Sequence, residues 1–206
     1  MSEANRIILS IVMITVPERV TEFSRLKSKL KKQIRACKNT HPTLGKVEVI
    51  EVNTKKFIEG GLSIGAKRQK GLDKSKGKYV CWLDDDDNIS PDYVETILRM
   101  AYMSDFDLIV FNSLVIFDNF WALVQMNLDY KTDEQMRPGI VHRRPYHVCA
   151  FRRDLLEGIT FPDTNVDEDT GFLAQVLPKC KKQNKTEAIL HNYNRITKSL
   201  AVETWL

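Results

Sequence analysis

The sequence predicts an α/β fold in which a doubly wound, mostly parallel sheet is flanked by helices. Two observations in the first half of the chain predict it. Short apolar, β-branched runs alternate with amphipathic stretches in the order β-α-β-α-β-α-β, which is typical of a parallel sheet. The first run, 7–14, is apolar almost throughout, as expected of a strand buried on both faces. Ligands of such sheets bind at the carboxyl ends of the strands, so the loops after Thr15, Val52 and Leu83 are predicted to form the binding site.

The individual elements of the first half follow from periodicity and from start and stop signals. The predicted strands cover 7–14, 46–52, 79–83 and 108–117. The predicted helices between them cover 19–38, 62–74 and 90–103. The first of these helices carries apolar residues at helical spacing in an otherwise basic stretch. Ser90 and Pro91 are typical of a helix start, with Ser90 as the N-cap and Pro91 in the first turn.

The second half of the chain has a less regular pattern. A strand is predicted at 148–151, a short helix at 154–158, a longer helix at 170–177, and a strand from Ala188 that continues into a loosely packed tail. Segment 118–138 mixes apolar and polar residues without a clear period, so no element is assigned to it. With 206 residues and an ordinary globular composition, the chain is predicted to fold as one domain.

Composition argues against several classes of protein. The net charge of +4 suits an anionic partner but does not require one. The four cysteines lack CxxC spacing and histidine companions, which argues against structural zinc and against a disulfide framework. Cys81 and Cys149 stand inside apolar runs and are predicted to be small buried residues. No apolar run approaches the ~20 residues of a membrane span, and the reduced cytoplasm is the expected compartment.

The most informative feature is the run Asp84-Asp85-Asp86-Asp87, which directly follows the predicted strand 79–83. Adjacent carboxylates repel each other and raise one another's pKa values, so this run needs a counter-charge. A divalent cation with oxygen ligands, Mg²⁺ or Mn²⁺, supplies that charge and is usually shared with a diphosphate. The alternative is an exposed acidic turn before a helix, whose N-terminal dipole stabilises one or two negative charges.

The residues around this run resemble the central motif of the family 2 glycosyltransferases, which reads G-x-Y, an apolar stretch, L-D-x-D-D and then P-D. In this chain the stretch 77–94 reads GKYVCWLDDDDNISPDYV. Further similar segments follow the family's order, at 63–72, 150–156, 161–162, 167–172 and 191–195. The first of these has Gln69 where asparagine is usual. A D-x-D motif alone is weak evidence, whereas this ordered set covers most of the chain.

The resemblance implies a GT-A (Rossmann-like) nucleotide-sugar-binding fold and a metal-dependent, inverting transfer of a sugar to an acceptor hydroxyl. Residues 1–206 would form a single domain. Within it, 1–115 would bind the nucleotide-sugar, and 116–206 would bind the acceptor and catalyse the transfer. The implied cofactors are Mn²⁺ or Mg²⁺ and a nucleotide-sugar donor, with a UDP-sugar as the expected donor.

The resemblance also implies roles for the acidic run. Asp84 and Asp85 are predicted to contact the donor, through its ribose or a metal-bound water, and Asp86 and Asp87 are predicted to bind the metal. The metal would act as a Lewis acid on the leaving diphosphate. Whether Asp85 or Asp86 is the direct ligand stays open in the sequence. His191 is a further candidate ligand, because GT-A enzymes sometimes supply a histidine near the C-terminus, and the alternative is a structural histidine.

Glu168-Asp169 resembles the acidic pair whose aspartate is the general base in inverting members of the family. A single displacement requires one carboxylate to remove the proton of the acceptor hydroxyl. Asp169 is predicted to do so, and Glu168 is predicted to support the acceptor or the loop. The alternative is that both residues only cap a helix N-terminus, where negative charge is favourable.

Five further residues are predicted to contact the donor. Pro17 and Arg19 follow the first strand, where members of the family meet the base and the ribose. Asn53 stands where an acid often binds the base. Arg68 is predicted to face the diphosphate, and the alternative is a solvated helix face. Arg195 is a predicted phosphate contact near the C-terminus.

The acceptor and partner stay open at this stage. A hydroxymethylated base in DNA, as in phage-type modification, is one candidate, and the compartment would then be the cytoplasm of the host cell. A surface glycan or a small molecule is the alternative. An interpretation of another class is a non-catalytic nucleic-acid-binding module, built on the basic stretches 25–38, 143–144 and 179–185. A nucleotidyltransferase would normally carry glycines after the first strand, and 15–19 contains none.

Overall fold

Ten strands form one sheet in the computed structural model, which describes residues 5–103, 105–117, 120–132 and 134–195. The strands are β1 (Ile7–Thr15), β2 (Lys46–Asn53), β3 (Tyr79–Asp84), β4 (Asn88–Ile89), β5 (Leu108–Phe117), β6 (Phe120–Met126), β7 (Glu134–Arg137), β8 (Ile140–Arg143), β9 (Ala150–Arg152) and β10 (Gln183–Arg195). The α-helices of the described residues are α1 (Val20–Thr40), α2 (Ile64–Lys74), α3 (Tyr93–Tyr102) and α4 (Glu168–Val176).

The central sheet is mostly parallel. Strands β2, β1 and β3 are neighbours and pair in parallel. The short β9 pairs antiparallel with both β3 and β5, so β5 runs in the same direction as β3. Strand β10 pairs in parallel with β5, while β6, β8 and β7 extend the sheet beyond it. The predicted α/β class, with a mostly parallel central sheet flanked by helices, is confirmed.

Segment 118–138, to which the sequence assigned no element, contributes strands β6 and β7. Strand β6 pairs antiparallel with β5, and its residues alternate between buried and partly exposed from Ala122 to Met126. The sequence does not show the alternating pattern of this strand, because Phe120, Trp121 and Ala122 are consecutive apolar residues. Of these, Phe120 and Trp121 are exposed.

The predicted N-cap of the third helix was wrong. Helix α3 begins at Tyr93, with Asp92 as its N-cap, whereas Ser90 directly follows β4 (Asn88–Ile89). Strand β4 pairs with β10, and the N–H of Ser90 donates to the Leu190 carbonyl oxygen at 3.0 Å. The Ser90 hydroxyl donates to Asp92 Oδ1 at 2.7 Å. The helix therefore begins later than predicted, because this segment is bonded to β10, which lies about a hundred residues further along the chain.

Two other predicted elements differ from the structure by more than two residues or in type. Strand β10 begins at Gln183, before the predicted Ala188, because its first residues already pair with β5. The short helix predicted at 154–158 is a 3-10 turn at Arg153–Leu156. Further 3-10 turns cover Pro17–Arg19, Phe57–Glu59 and Leu177–Lys179.

Helix α2 approaches both β1 and the loop before α4 closely, because its glycines leave room. A Cβ added to Gly71 would lie 2.1 Å from Val12 Cγ1, and one added to Gly65 would lie 1.8 Å from the Pro162 carbonyl oxygen. Both distances are far below van der Waals contact, so a larger residue at either position would force a shift in this close-packed interior. This packing holds Arg68 of α2 between the end of β3 and the start of α4.

All four cysteines are buried and free, which confirms the predicted burial of Cys81 and Cys149. Within the described residues, no helix combines the length and the apolar composition that crossing a membrane requires.

Candidate active site

The carboxyl ends of β1, β2 and β3 meet at one edge of the sheet. In the strand register, Thr15 of β1 lies beside Asn53 of β2, and Ile14 lies beside Asp84 of β3. The loops after these strands, which were predicted from the sequence to form the binding site, are therefore neighbours. Pro17 and Asn53 are exposed at this edge.

The four aspartates form a tight turn directly after β3. The N–H of Asp87 donates to the Asp84 carbonyl oxygen at 3.1 Å, and the N–H of Asp84 donates to Asp87 Oδ2 at 2.8 Å. Because the turn is closed by these two bonds, its carboxylates point in different directions, and each has different partners.

Asp85 and Asp86 face Arg19. Asp85 is fully buried and accepts a hydrogen bond from Thr15 Oγ1 at 2.6 Å. One Nη atom of Arg19 lies 3.1 Å from Asp85 Oδ1 and 2.8 Å from Asp86 Oδ2. Burial raises the pKa of Asp85 to about 7, although Thr15 and Arg19 act to lower it. The predicted donor contacts Asp85 and Arg19 thus bind each other, and Asp85 has no exposed surface for a ligand.

Asp87 faces His191 of β10, a residue more than a hundred positions away in the sequence. Both side chains are almost fully buried, and His191 Nε2 lies 3.1 Å from Asp87 Oδ1. The geometry of this pair is not that of a hydrogen bond, so Nε2 is a buried nitrogen without a hydrogen-bond partner among the described residues. On the other side of the ring, Nδ1 lies 2.5 Å from Ser113 Oγ, which holds the imidazole in place.

Arg68 links the acidic turn to helix α4. Its guanidinium is buried. One terminal nitrogen lies 3.1 Å from Asp84 Oδ1 and 3.1 Å from His147 Nε2, and the other donates to Glu168 Oε1. Burial alone would lower the pKa of Arg68, but Asp84 and Glu168 raise it. Arg68 was predicted to face a diphosphate; the structure places its terminal nitrogens against these three side chains.

Asp169, the predicted base, stands on the first turn of α4 with its side chain 26% exposed. Thr170 N–H donates to its Oδ1 at 2.8 Å, and His147 Nδ1 lies 3.5 Å from its Oδ2. Burial raises the pKa of Asp169, but His147 and Arg68 outweigh burial and hold the pKa well below its usual range. Asp169 is therefore ionised. Glu168, whose pKa is raised by burial, faces Arg68 instead.

His147 was missed in the sequence. It stands between Tyr146 and the strand β9, and no spacing pattern links it to residues 68 or 169. Its partners come from α2 and α4, so only the fold brings them to it.

Some of these side chains line a cavity of about 500 Å³. Its polar lining residues include Arg68, Asp84, Asp87, His147, Asp169 and His191. Most of its other lining residues are apolar or aromatic and come from β5, β6, β8 and the segment after β8, among them Val115, Phe120, Val124, Val141, Tyr146 and Val148. Arg143 also lines the cavity. The cavity therefore combines an apolar surface with paired carboxylates, as small-molecule sites commonly do.

The structure brings together two of the three predicted metal ligands. Asp87 and His191 are in contact, whereas Asp86 is turned towards Arg19. Across the described parts of the chain, no three His, Cys, Asp or Glu side chains are arranged as a metal site. Arg195 is the last residue of β10, and its side chain lies outside the described residues, so its predicted phosphate contact is not tested.

Comparisons with known proteins point to one family. The model of the family described as "Glycosyl transferase family 2" matches residues 51–160, which is more than half of the 206-residue chain. An uncharacterized glycosyltransferase of Escherichia coli (strain K12), YibD, is 26% identical over 139 residues, covering 61% of this chain and 40% of that protein. EpsH of Bacillus subtilis (strain 168), a provisionally assigned glycosyltransferase, is 38% identical over 56 residues, or 27% of this chain and 16% of EpsH.

Solved structures share the fold. The S. aureus TarS fragment 1–349 in complex with UDP-GlcNAc superimposes with a TM-score of 0.63 at 12% identity, covering 96% of this chain and 61% of that one. The fragment solved without that ligand gives a TM-score of 0.62 at 14% identity. The chain spans less than two thirds of the length of these relatives. The fold is the GT-A fold of these neighbours, and the chain belongs to the family 2 glycosyltransferases.

Proposed function

We propose that this glycosyltransferase moves a sugar from a UDP-sugar to an acceptor hydroxyl with metal dependence and with inversion of the anomeric carbon. The observation that carries the proposal is the single cavity shared by the buried Asp87–His191 pair and by the ionised Asp169. One part of that cavity offers ligands for a cation, and another offers a proton acceptor. These are the two groups that a single displacement with a diphosphate leaving group requires.

The donor is proposed from position and from a neighbour. TarS of S. aureus, which shares the fold, has been solved with UDP-GlcNAc. In this chain, Pro17 and Asn53 are exposed at the sheet edge where the carboxyl ends of β1 and β2 meet, which suits the nucleoside. Asp86, whose side chain is 33% exposed on the adjacent turn, is available to the ribose-diphosphate portion.

The residues present fit a divalent cation. His191 Nε2 is a buried nitrogen without a hydrogen-bond partner among the described residues, and it lies 3.1 Å from Asp87 Oδ1. An imidazole nitrogen and a carboxylate oxygen at this distance can bind the same ion. Two protein ligands are sufficient for Mg²⁺ or Mn²⁺ when substrate phosphates and water complete the coordination. Asp87 and His191 would hold the ion, with Asp86 as a further candidate from the turn. When bound, the cation stabilises the negative charge on the leaving diphosphate.

Asp169 is the proposed general base. As the acceptor oxygen forms its bond to the anomeric carbon, the bond from that carbon to the diphosphate breaks, and the acceptor's proton passes to the Asp169 carboxylate. Its lowered pKa keeps the carboxylate free of a proton at neutral pH.

UDP with Mn²⁺ is expected to stabilise the protein against heat. A ligand that binds only the native state at 100 times its Kd adds about 2.7 kcal/mol, which corresponds to roughly 5–10 °C in Tm for a chain of this size. Thermal-shift measurements would compare UDP, UDP-sugars and other nucleoside diphosphates. Uridine, which lacks the diphosphate, is the control and is expected to give little shift. If only another nucleotide raises Tm, the sugar donor carries that nucleotide in place of UDP. If no nucleotide raises Tm, the proposed function is overturned.

The acceptor remains a choice between DNA and a glycan or small molecule, and salt dependence separates them. The basic residues Lys27, Lys31 and Arg35 of α1 do not line the cavity, so they could serve only as a distant docking surface. Lys31 and Arg35 are exposed, and Lys27 is half-buried and paired with Glu51. If DNA is the acceptor, its affinity is expected to fall steeply with salt, because each phosphate contact releases counterions. Reversing these three charges to glutamate should then lower the slope of log Kd against log salt by about 2–3.

A matched triple on α2 and the loop before it controls for the change in net charge. Its positions are the lysines 55, 70 and 74. Equal slopes for the two triples would show a non-specific charge effect. If the wild-type protein binds no DNA even at low ionic strength, DNA is excluded as acceptor. Because the chain belongs to a glycosyltransferase family, DNA binding would mark the acceptor of an enzyme and not a non-catalytic module.

A further inference from the structure

The tautomer of His147 is set by Arg68. An arginine side chain has only donors, and Arg68 Nη2 lies 3.1 Å from His147 Nε2. Nε2 must therefore accept this hydrogen bond, and in the neutral ring the proton then sits on Nδ1. Nδ1 is the atom that faces Asp169 Oδ2, at 3.5 Å.

The backbone and the ring of His147 both have close neighbours. The backbone N–H of Trp82, in β3, donates to the His147 carbonyl oxygen at 3.2 Å, and the ring of Tyr146 packs edge-on against the imidazole at a centroid distance of 5.2 Å. His147 is buried, yet Nδ1 has no hydrogen-bond partner among the described residues. A distance of 3.5 Å is longer than an ordinary hydrogen bond, and catalytic hydrogen bonds of this kind commonly shorten when substrate binds.

We propose that His147 is a positioning residue for Asp169: it donates Nδ1–H to the base and so orients the carboxylate towards the acceptor hydroxyl. Arg68 fixes the tautomer that makes this possible. Because Arg68 also binds Asp84 of the acidic turn and Glu168 of α4, it joins the donor side of the cavity to the base. This inference rests on the proposed function, in which Asp169 is the base.

The charged groups around His147 agree with a neutral ring. Arg68 faces it from α2, Asp84 from β3, and Asp169 from α4, with Glu168 on the far side of the arginine. Burial and Arg68 lower the pKa of His147, and together they outweigh Asp169 and Asp84, which raise it. His147 is therefore neutral at neutral pH and acts as a hydrogen-bond donor to Asp169, with no charge of its own.

Two substitutions of His147 test the roles of its two ring nitrogens separately. The amide of asparagine reaches the position of Nδ1 and can still donate to Asp169. The amide of glutamine reaches the position of Nε2 and can still accept from Arg68, but it leaves Asp169 without the donor. His147→Gln is expected to lower kcat about 10- to 100-fold, the effect of a misplaced catalytic group, with KM for the donor little changed. His147→Asn is expected to retain most of kcat.

The pH dependence of kcat/KM gives a second test, because a purely structural role of His147 would leave it unchanged. Loss of the donor to Asp169 should raise the pKa of the base, so the acidic limb of kcat/KM should move to higher pH in His147→Gln but not in His147→Asn. A different result would overturn the inference and assign His147 a structural role only. In that result both variants lose kcat equally and have a lower Tm, and the acidic limb of kcat/KM stays at the wild-type pH in both.

NMR tests the inference without turnover. Long-range ¹H–¹⁵N spectra of the wild-type protein should show His147 neutral and protonated on Nδ1, with His147→Asn used to assign the signal. The ¹³C titration of the Asp169 carboxyl should move to higher pH in His147→Gln. An Nε2–H tautomer, or an unmoved titration, would sink the inference. An inactive wild-type protein that still shows both signatures would instead count against the proposed function alone.

Discussion

Asp169→Asn should lose transfer activity by roughly 10²–10⁴-fold, the range for removal of a general base, while nucleotide affinity stays near that of the wild-type protein. In the proposed mechanism the carboxylate faces the acceptor, and its described partners are Thr170 N–H and His147. Single-turnover kinetics with saturating donor would measure the chemical step, and calorimetry would measure UDP binding with Mn²⁺.

Asp167→Asn is the matched control for this experiment. Asp167 is the N-cap residue of α4, two positions before Asp169, and its substitution removes the same charge. Its backbone has φ of 60°, a conformation that asparagine adopts readily. Its side chain makes no capping hydrogen bond to α4, so near-normal turnover is expected. The product of the wild-type enzyme should have inverted configuration by NMR. Retention of configuration, or near-normal turnover of Asp169→Asn, would contradict the assignment of the base.

Asp87→Asn should remove most of the metal dependence of nucleotide binding. The substitution keeps an oxygen that can accept from Asp84 N–H, but it removes the negative charge beside His191 Nε2. In the wild-type protein, UDP should bind at least about tenfold more tightly with Mn²⁺ than with EDTA, which is ~1.4 kcal/mol. In Asp87→Asn the two affinities should approach each other.

Two comparisons sharpen this result. Asp73→Asn removes a charge from the exposed face of α2 and should keep the full metal dependence. In Asp86→Asn, UDP binding should lose its metal dependence only if Asp86 moves from Arg19 to the ion. The result therefore shows whether Asp86 is the third metal ligand. Equal UDP affinity of the wild-type protein with and without Mn²⁺ would exclude the turn and His191 as a metal site.

Local patterns were sufficient for most of the first half of the fold. Strands β1 and β3 are buried over nearly their whole length, and burial on both faces leaves a continuous apolar run that can be recognised without knowing the neighbours. The start of α3 could not be predicted in this way, because Ser90 donates to Leu190 of β10, directly after the pairing of β4 with β10. That pairing joins residues about a hundred positions apart.

The sequence by itself was sufficient to indicate the family and the fold of this protein. The Asp84-Asp85-Asp86-Asp87 run, the Glu168-Asp169 pair and their order along the chain were sufficient to indicate a family 2 glycosyltransferase, because motifs of this kind are local. The family and the GT-A fold are confirmed, whereas the roles of individual residues are predictions that await the experiments above.

Only the tertiary structure decided what each carboxylate faces. Asp85 is buried against Thr15, Asp87 meets His191, and the charge of Arg68 is divided between Asp84 and Glu168. Neighbouring aspartates look alike in a sequence, since their environments depend on groups supplied by other strands and helices. Burial and charge act through space, and the distances involved are created only when the chain folds.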